Sequence, residues 1–255
     1  MRRREKFVIA SILLSICLLF VQYTSLDYRY WVMGAFMLLT YGISSWTLSD
    51  DLQRHERLTI VPLPALYAGA VGLFYFLLPA NLLTRIFILV LFGIGMYALY
   101  LTSNIYSVAK GRTIQLLHAA LAIGFLFTLL TSLLFANTIF SLRLPFYING
   151  ALIGITHFPL VLSSLWAVRL ETSVRKELYM LSTLITLLLM ELAVVMSFMP
   201  HSVWYQALFI MSLLYLCVSI IRSFLAERLF MNAVTEYSLV GVFLFALFLL
   251  VFPTK

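Results

Sequence analysis

Long apolar stretches constrain the fold of this chain more than any other feature. A helix that spans a bilayer needs about 20 predominantly apolar residues, with a range of roughly 17 to 25. Charged or turn-forming residues separate the stretches that meet this requirement. These stretches are residues 7–23, 30–48, 59–78, 82–102, 114–136, 146–168, 178–199, 203–221 and 237–252. The pattern predicts an all-α fold, a polytopic integral membrane bundle of about nine transmembrane helices.

Composition supports the same class and excludes others. Hydrophobic residues make up 63% of the 255-residue chain and charged residues 11%, whereas an average soluble domain is about 25% charged. A soluble enzyme, a disulfide scaffold and a disordered chain are therefore excluded. Few residues remain between the predicted spans, so we expect a single transmembrane domain over residues 1–255 and no soluble domain. The only partner that composition alone establishes is the lipid bilayer.

The distribution of basic residues predicts the orientation of the spans. Cytoplasmic segments of membrane proteins are enriched in Lys and Arg. If the amino terminus is cytoplasmic, only Arg29, Arg85, Arg143 and Lys255 of the 17 Lys and Arg fall in outer segments. We therefore expect a cytoplasmic amino terminus and an outer carboxyl terminus. The net charge of +7 reflects this asymmetry and not a nucleic-acid partner. The predicted location is a cell membrane, a bacterial inner membrane.

A weak internal similarity suggests tandem repeats. Trp46 and Trp166 are separated by about 120 residues, and similar loops follow each other in the same order in the two halves. The hypothesis is two four-helix repeats, residues 30–136 and 146–252, preceded by an extra helix over 7–23. Interfacial tryptophans and tight turns recur in many membrane proteins, so coincidence is the alternative.

One acidic residue lies deep inside a predicted span. Glu191 falls within 178–199, and its helical neighbours at three- and four-residue spacings are apolar. A carboxyl group at such a depth costs at least about 2.5 to 3.5 kcal/mol on insertion scales. Glu191 is therefore a candidate functional residue.

His157 is the candidate partner of Glu191. Counting from the predicted outer ends of two consecutive antiparallel spans places His157 roughly 16 Å deep and Glu191 roughly 14 Å deep. Gly150, Gly154 and His157 share one stripe of the sixth span, and the glycines allow a neighbouring helix to approach closely. The sequence thus predicts an intramembrane polar pair. It could shuttle a proton or bind a polar ligand; the alternative, which we favour, is a structural hydrogen bond between helices.

A second face of small residues lies in the third span. It consists of two pairs at four-residue spacing, Ala65 with Gly69 and Ala68 with Gly72. Small residues at this spacing are typical of helix-packing faces. The face is predicted to pack within the bundle or to contact another membrane helix or a second copy of the chain.

The most charged stretch of the chain is a predicted cytoplasmic loop. Asp50, Asp51 and His55 lie within it and form a weak candidate site for a divalent cation or a phosphate group. A short solvated helix, capped by Ser49 and carrying the two acids in its first turn, explains the same residues. We favour that explanation, and no metal or cofactor is expected.

No catalytic signature accompanies these features, so the chain is more consistent with a protein that is not an enzyme. Three functions are considered. The first is a permease or flippase that handles a small or lipidic solute around Glu191 and His157. The second is a non-catalytic membrane interaction or assembly subunit. The third is a lipid-modifying enzyme, which would require the Asp50 to Arg57 loop to cover a cavity.

Overall fold

The computed structural model describes residues 3–25, 27–49, 56–79, 81–109, 115–171, 173–227 and 231–251, with side chains of the last segment described over 234–246. All regular structure in these residues is helical, as the sequence predicts. The helices are α1 (Arg3–Gln22), α2 (Arg29–Thr47), α3 (Pro62–Tyr75), α4 (Leu82–Val108), α5 (Leu116–Ser141), α6 (Phe146–Arg169), α7 (Lys176–Ser197), α8 (Val203–Leu225) and α9 (Met231–Val251), with a 3-10 turn at Glu56–Leu58.

Seven of the described helical segments are long and apolar enough to cross a membrane: α1, α4 to α8, and the segment Glu56–Tyr75, which contains α3. This supports a helical membrane protein. Helix α2 has 19 residues, among them several Tyr, Trp, Gly, Ser and Thr, and is not one of the seven. The described apolar part of α9 is the shorter stretch Val234–Ala246. The count of nine spans and the orientation of the termini stay predictions.

Prolines and left-handed residues mark the helix boundaries. Pro62 occupies the first turn of α3, where a residue without a backbone N–H is tolerated. Just after the carboxyl-terminal ends of three helices lie residues with positive φ angles: 50° at Arg143, 48° at Leu170 and 55° at Glu227. They follow α5, α6 and α8, where a left-handed residue commonly ends a helix.

The chain divides into two compact units. Unit 1 comprises Met1–Thr131 and Leu170–Ser173, and unit 2 comprises Ser132–Arg169 and Val174–Lys255. The boundary falls within α5, so unit 1 contains α1 to α4 and the first part of that helix. The predicted tandem repeat, with its proposed segments 30–136 and 146–252, stays a prediction.

The core of unit 1 is built around aromatic rings. Helix α1 packs against α4 and α2, and α2 packs against α3. The Tyr67 ring stacks on Phe92 with centroids 5.7 Å apart and meets Phe127 edge-on at 5.2 Å. Phe36 approaches the Phe92 ring at 6.2 Å. Tyr67 and Phe92 therefore lie at the centre of a cluster contributed by α2, α3, α4 and α5.

Unit 2 is organised around the antiparallel pair α6 and α7. Helix α8 packs against both of them, and α9 packs against α8. The α6–α7 pair is the most extensive contact in the unit, and Trp166, Ile153, Leu189 and Ala193 are buried within it or beside it. This pair carries both Glu191 and its predicted partner.

The buried position of Phe92 makes a testable prediction. Replacing Phe92 with alanine should lower the free energy of unfolding by about 3 to 5 kcal/mol, because it leaves a cavity where α2, α3 and α4 meet. Phe87 is the matched control, since it lies on the same helix and is 64% exposed. Equilibrium unfolding of the full-length protein in mixed micelles measures the difference, and equal losses for F92A and F87A would contradict this core.

Candidate functional site

His157 is fully buried and bonded within unit 2. Its Nε2 lies 2.8 Å from the hydroxyl of Ser132 on α5. Its Nδ1 lies 2.9 Å from the backbone carbonyl of Ile153 and 3.0 Å from the Thr156 hydroxyl. Both ring nitrogens are therefore engaged by residues of α5 and α6.

The acceptors around His157 define which nitrogen carries a proton. The Ile153 carbonyl can only accept, so Nδ1–H is the donor in that contact. In a neutral imidazole Nε2 is then an acceptor, and the Ser132 hydroxyl donates to it. This arrangement links α5 to α6 and is typical of a structural interhelical hydrogen bond.

Glu191 lies on the face of α7 that is turned away from α6. It is exposed on α7, on a face whose exposed neighbours are Leu184, Leu187, Leu188 and Val195. In a membrane, a face of this composition contacts lipid or another helix. The structure therefore does not bring Glu191 and His157 together.

The helix register explains this difference from the sequence prediction. Helix α7 ends at Ser197 and not at Pro200, so Glu191 lies roughly 9 Å from the helix end at 1.5 Å per residue. On α6, His157 lies roughly 16 Å from the first residue. Rotation adds to the mismatch, because Met190 and Val194 of α7 contact α6, and Glu191 is turned about 100° away from Met190.

Gly150 and Gly154 form the contact face of α6 toward α7. A Cβ atom placed on Gly150 would lie 3.0 Å from Val194 Cγ2, and one on Gly154 would lie 2.6 Å from Met190 Sδ. The two glycines therefore leave room for side chains of α7. Close approach of these helices depends on their lack of a Cβ.

The small residues of α3 face α2 within unit 1. A Cβ atom placed on Gly69 would collide with the Met37 side chain, and one placed on Gly72 would collide with Met33. Two methionine side chains thus occupy the space above this face, as expected for a flexible residue that fills irregular gaps. The other members of the face, Ala65 and Ala68, are buried.

The weak candidate site in the predicted cytoplasmic loop lies outside the described residues, since Asp50, Asp51 and His55 are not among them. Within the described ranges, no group of three or more His, Cys, Asp or Glu is placed to hold a metal ion.

Sequence reasoning missed a polar cluster in unit 1, at the end where α1 finishes and α4 begins. The Arg85 guanidinium lies 4.8 Å from the centre of the Tyr23 ring and interacts with the Tyr75 and Tyr23 phenols. Gln22 is 7% exposed, and both atoms of its amide lack a hydrogen-bond partner among the described residues. We call Tyr23, Tyr75 and Arg85 the Arg85 cluster. A glutamine that ends the buried stripe of α1 was the signal available in the sequence.

Each unit also carries an apolar groove. In unit 2 a groove of about 280 Å³ is formed by α7, α8 and α9, and Leu192, Met196, Phe209 and Leu213 are among its lining residues. In unit 1 a groove of about 320 Å³ runs between α1 and α4.

The chain was compared with known proteins. No protein-family model, curated protein or solved structure matches it.

The Ser132–His157 bond predicts an energetic coupling between α5 and α6. Removing either partner, as in S132A or H157L, leaves a buried polar atom unpaired and should destabilise the protein by about 1 to 3 kcal/mol. The double variant should lose less than the sum, with a coupling of about 0.6 to 1.7 kcal/mol. Equilibrium unfolding of the four proteins in micelles measures this coupling, and strict additivity would show that the bond contributes nothing.

The contact at Gly154 predicts a second effect on stability. Replacing Gly154 with leucine should force Met190 and α7 to move and lower the free energy of unfolding by about 1 to 3 kcal/mol. Gly34 on α2 is the control, because a Cβ placed there has no heavy atom within 4 Å. A G154L protein as stable as G34L would mean that α6 and α7 do not approach this closely.

Proposed function

We propose that the protein is a membrane interaction or assembly subunit that docks a transmembrane helix of another protein along α7. The contact is centred on Glu191. The observation that supports the proposal is the exposure of this one acidic side chain on the apolar face of a membrane-spanning helix. This corresponds to the second of the functions considered from the sequence.

The free energy of burying Glu191 in lipid argues for a partner. An acid in a spanning helix that faces hydrocarbon costs about 2.5 to 3.5 kcal/mol even on insertion scales. In the described part of unit 2 His157 does not offset this cost, since its two ring nitrogens are already bonded to other groups. A helix that brings a hydrogen-bond donor to Glu191 recovers part of that free energy on binding.

The face around Glu191 defines the chemistry of the partner. Leu184, Leu188 and Val195 are 53%, 41% and 45% exposed and lie one turn or two turns from Glu191 along the helix. They offer apolar contact on both sides of the carboxyl group. We therefore expect a largely apolar partner helix with one Asn, Gln, Lys or Arg at the same depth.

A permease or flippase that handles a lipidic solute is the second candidate function. The observation that favours it is the apolar groove of unit 2, whose lining residue Leu192 directly follows Glu191. A polar group beside an apolar groove could contact the head of an amphipathic solute while its chain lies in the groove. His157 has no part in this candidate, because it is sealed within unit 2. The lipid-modifying enzyme rests on residues outside the described ranges and is not proposed.

Substitution of Glu191 tests the docking proposal. A photo-crosslinking residue in place of Leu188 should capture one membrane protein from native membranes, with the crosslink on a spanning helix that carries a polar residue. E191Q should retain this crosslink, because an amide still hydrogen-bonds, whereas E191L should reduce it by about tenfold, as loss of a contact worth roughly 1.4 kcal/mol implies. T183L is the matched control, since Thr183 is exposed on the same helix and bonds to its own backbone.

The other outcomes of this experiment are equally defined. A crosslink only to a second copy of the chain would replace the proposal by self-association. Equal crosslinking by wild type and E191L, or a crosslink no stronger than from Ile94, which is 62% exposed on α4, would show that α7 is an ordinary lipid-contact face. Enrichment of a bound lipidic solute that E191L loses would favour the permease or flippase candidate.

A further inference from the structure

We infer that unit 1 binds a single phospholipid molecule, with its phosphate held by the Arg85 cluster and an acyl chain in the groove between α1 and α4. This site is separate from the α7 face proposed above. It follows from three observations on the described residues: a buried amide without a hydrogen-bond partner, a cation without a carboxylate partner, and an apolar groove one helical turn from that cation.

The register of α1 places Gln22 on the face of that helix that meets α3 and α4. Leu18, four residues earlier, packs against Gly72 on α3, and Ser15, seven residues earlier, packs against Gly93 on α4. Residues at these spacings share a helix face, so Gln22 faces α3 and α4 one or two turns farther along. At that level lie Tyr75, at the end of α3, and Arg85, in the first turn of α4.

The buried amide of Gln22 points to a ligand. A buried amide that makes no hydrogen bond is unfavourable by roughly 1 to 3 kcal/mol. With 7% of the residue exposed and neither amide atom bonded among the described residues, Gln22 can donate to an oxygen placed between it and Arg85. A phosphate group supplies such oxygens.

Arg85 supplies the charge for this site. In the part of the chain that the structure describes, no ion pair joins Arg85 to a carboxylate. Asp27, which closely follows Gln22 in the sequence, is exposed. The guanidinium is positioned by the Tyr23 ring and by the Tyr75 phenol, and a guanidinium fork matches phosphate geometry.

The start of α4 adds a second source of positive potential. Its cap residue, Asn81, has extended backbone angles and makes no side-chain hydrogen bond to the helix. The first backbone N–H groups of a helix lack intrahelical partners, and an anion beside them is stabilised. Arg85 lies within this first turn, so both positive features act on the same small region.

The groove between α1 and α4 identifies the anion as part of a lipid. Leu19 and Leu89 line the groove and are one helical turn from Tyr23 and Arg85 respectively. The groove continues along both helices past Ile16 and Gly93, and its lining is almost entirely apolar. Ser11 and Ser15 do not make it polar, because their hydroxyls donate to carbonyls of their own helix. A phosphate site that opens directly into such a groove fits a headgroup and its acyl chain.

Lipid titration of the full-length protein tests this inference. We would follow binding of phosphatidylglycerol to delipidated protein in detergent by native mass spectrometry, with diacylglycerol of the same chains and inorganic phosphate as separate arms. We expect one saturable phosphatidylglycerol molecule, at least about tenfold weaker binding of diacylglycerol, and no competition by millimolar inorganic phosphate. A hydrogen bond to a charged group is strong enough to produce a change of this size.

Variants assign the binding to the named residues. R85Q should weaken phosphatidylglycerol binding by about tenfold or more. Q22E should weaken this binding similarly, because glutamate has nearly the same shape as glutamine, and its carboxylate would pair with the Arg85 guanidinium and repel the phosphate. V90W should fill the groove and weaken the binding of phosphatidylglycerol. It should not affect the fold, since Val90 is 54% exposed. R143Q, at an exposed arginine of unit 2, is the matched control and should bind as wild type.

Three results would overturn the inference. Equal binding of phosphatidylglycerol and diacylglycerol would show that the site does not recognise the phosphate group. Full competition by inorganic phosphate, together with an unaffected V90W, would make it a site for free anions and not for a lipid. Unchanged binding by both R85Q and Q22E, with unfolding curves that match R143Q, would place the lipid elsewhere.

Discussion

Hydrocarbon offers no hydrogen-bonding partners, and this constraint governs both the backbone and the polar side chains of the protein. Backbone N–H and C=O groups form hydrogen bonds within helices, and apart from one 3-10 turn all regular structure in the described residues is α-helical. Hydroxyl side chains follow the same rule: Thr40, Thr128 and Thr186 each donate to a carbonyl one turn earlier on their own helix. The Ser132–His157 bond is different, because it satisfies two polar groups across two helices. These polar residues therefore either join two helices or bond to their own helix.

The residues proposed for function are among those whose polar groups the described part of the fold does not satisfy. Glu191 is directed away from the packed interior of unit 2, and the amide of Gln22 is buried without a bond among the described residues. The two cases call for different ligands. An isolated acid on an apolar helix favours a helix that carries a donor, whereas a buried amide beside Arg85 and an apolar groove favours a phosphate with an attached chain.

Small residues decide which helix faces meet, and methionine side chains fill the space that they leave. Gly154 lies against Met190 in unit 2, and Gly69 lies against Met37 in unit 1. Lipid tails are as apolar as leucine, so helix association in a membrane depends on close packing more than on removal of apolar surface from water. The position of the α6 glycines thereby sets the rotation of α7 and, with it, the direction of Glu191.

Much of the fold was predictable, because the length of an apolar run and the location of charged or turn-forming residues are local properties. Periodicity of small residues likewise indicated the faces at Gly150 and Gly69 before their contacts were known. The partner of His157 was not predictable. Depth counted from predicted span ends placed Glu191 beside it, but α7 ends at Ser197, and each residue along a helix turns the side chain by about 100°. The sequence by itself determined a helical membrane protein and its unusual polar residues. Only the tertiary structure decided that His157 is bonded to Ser132, that Glu191 faces outward and that the Gln22 amide is buried without a hydrogen bond among the described residues, because small changes in helix rotation and register determine which side chains meet.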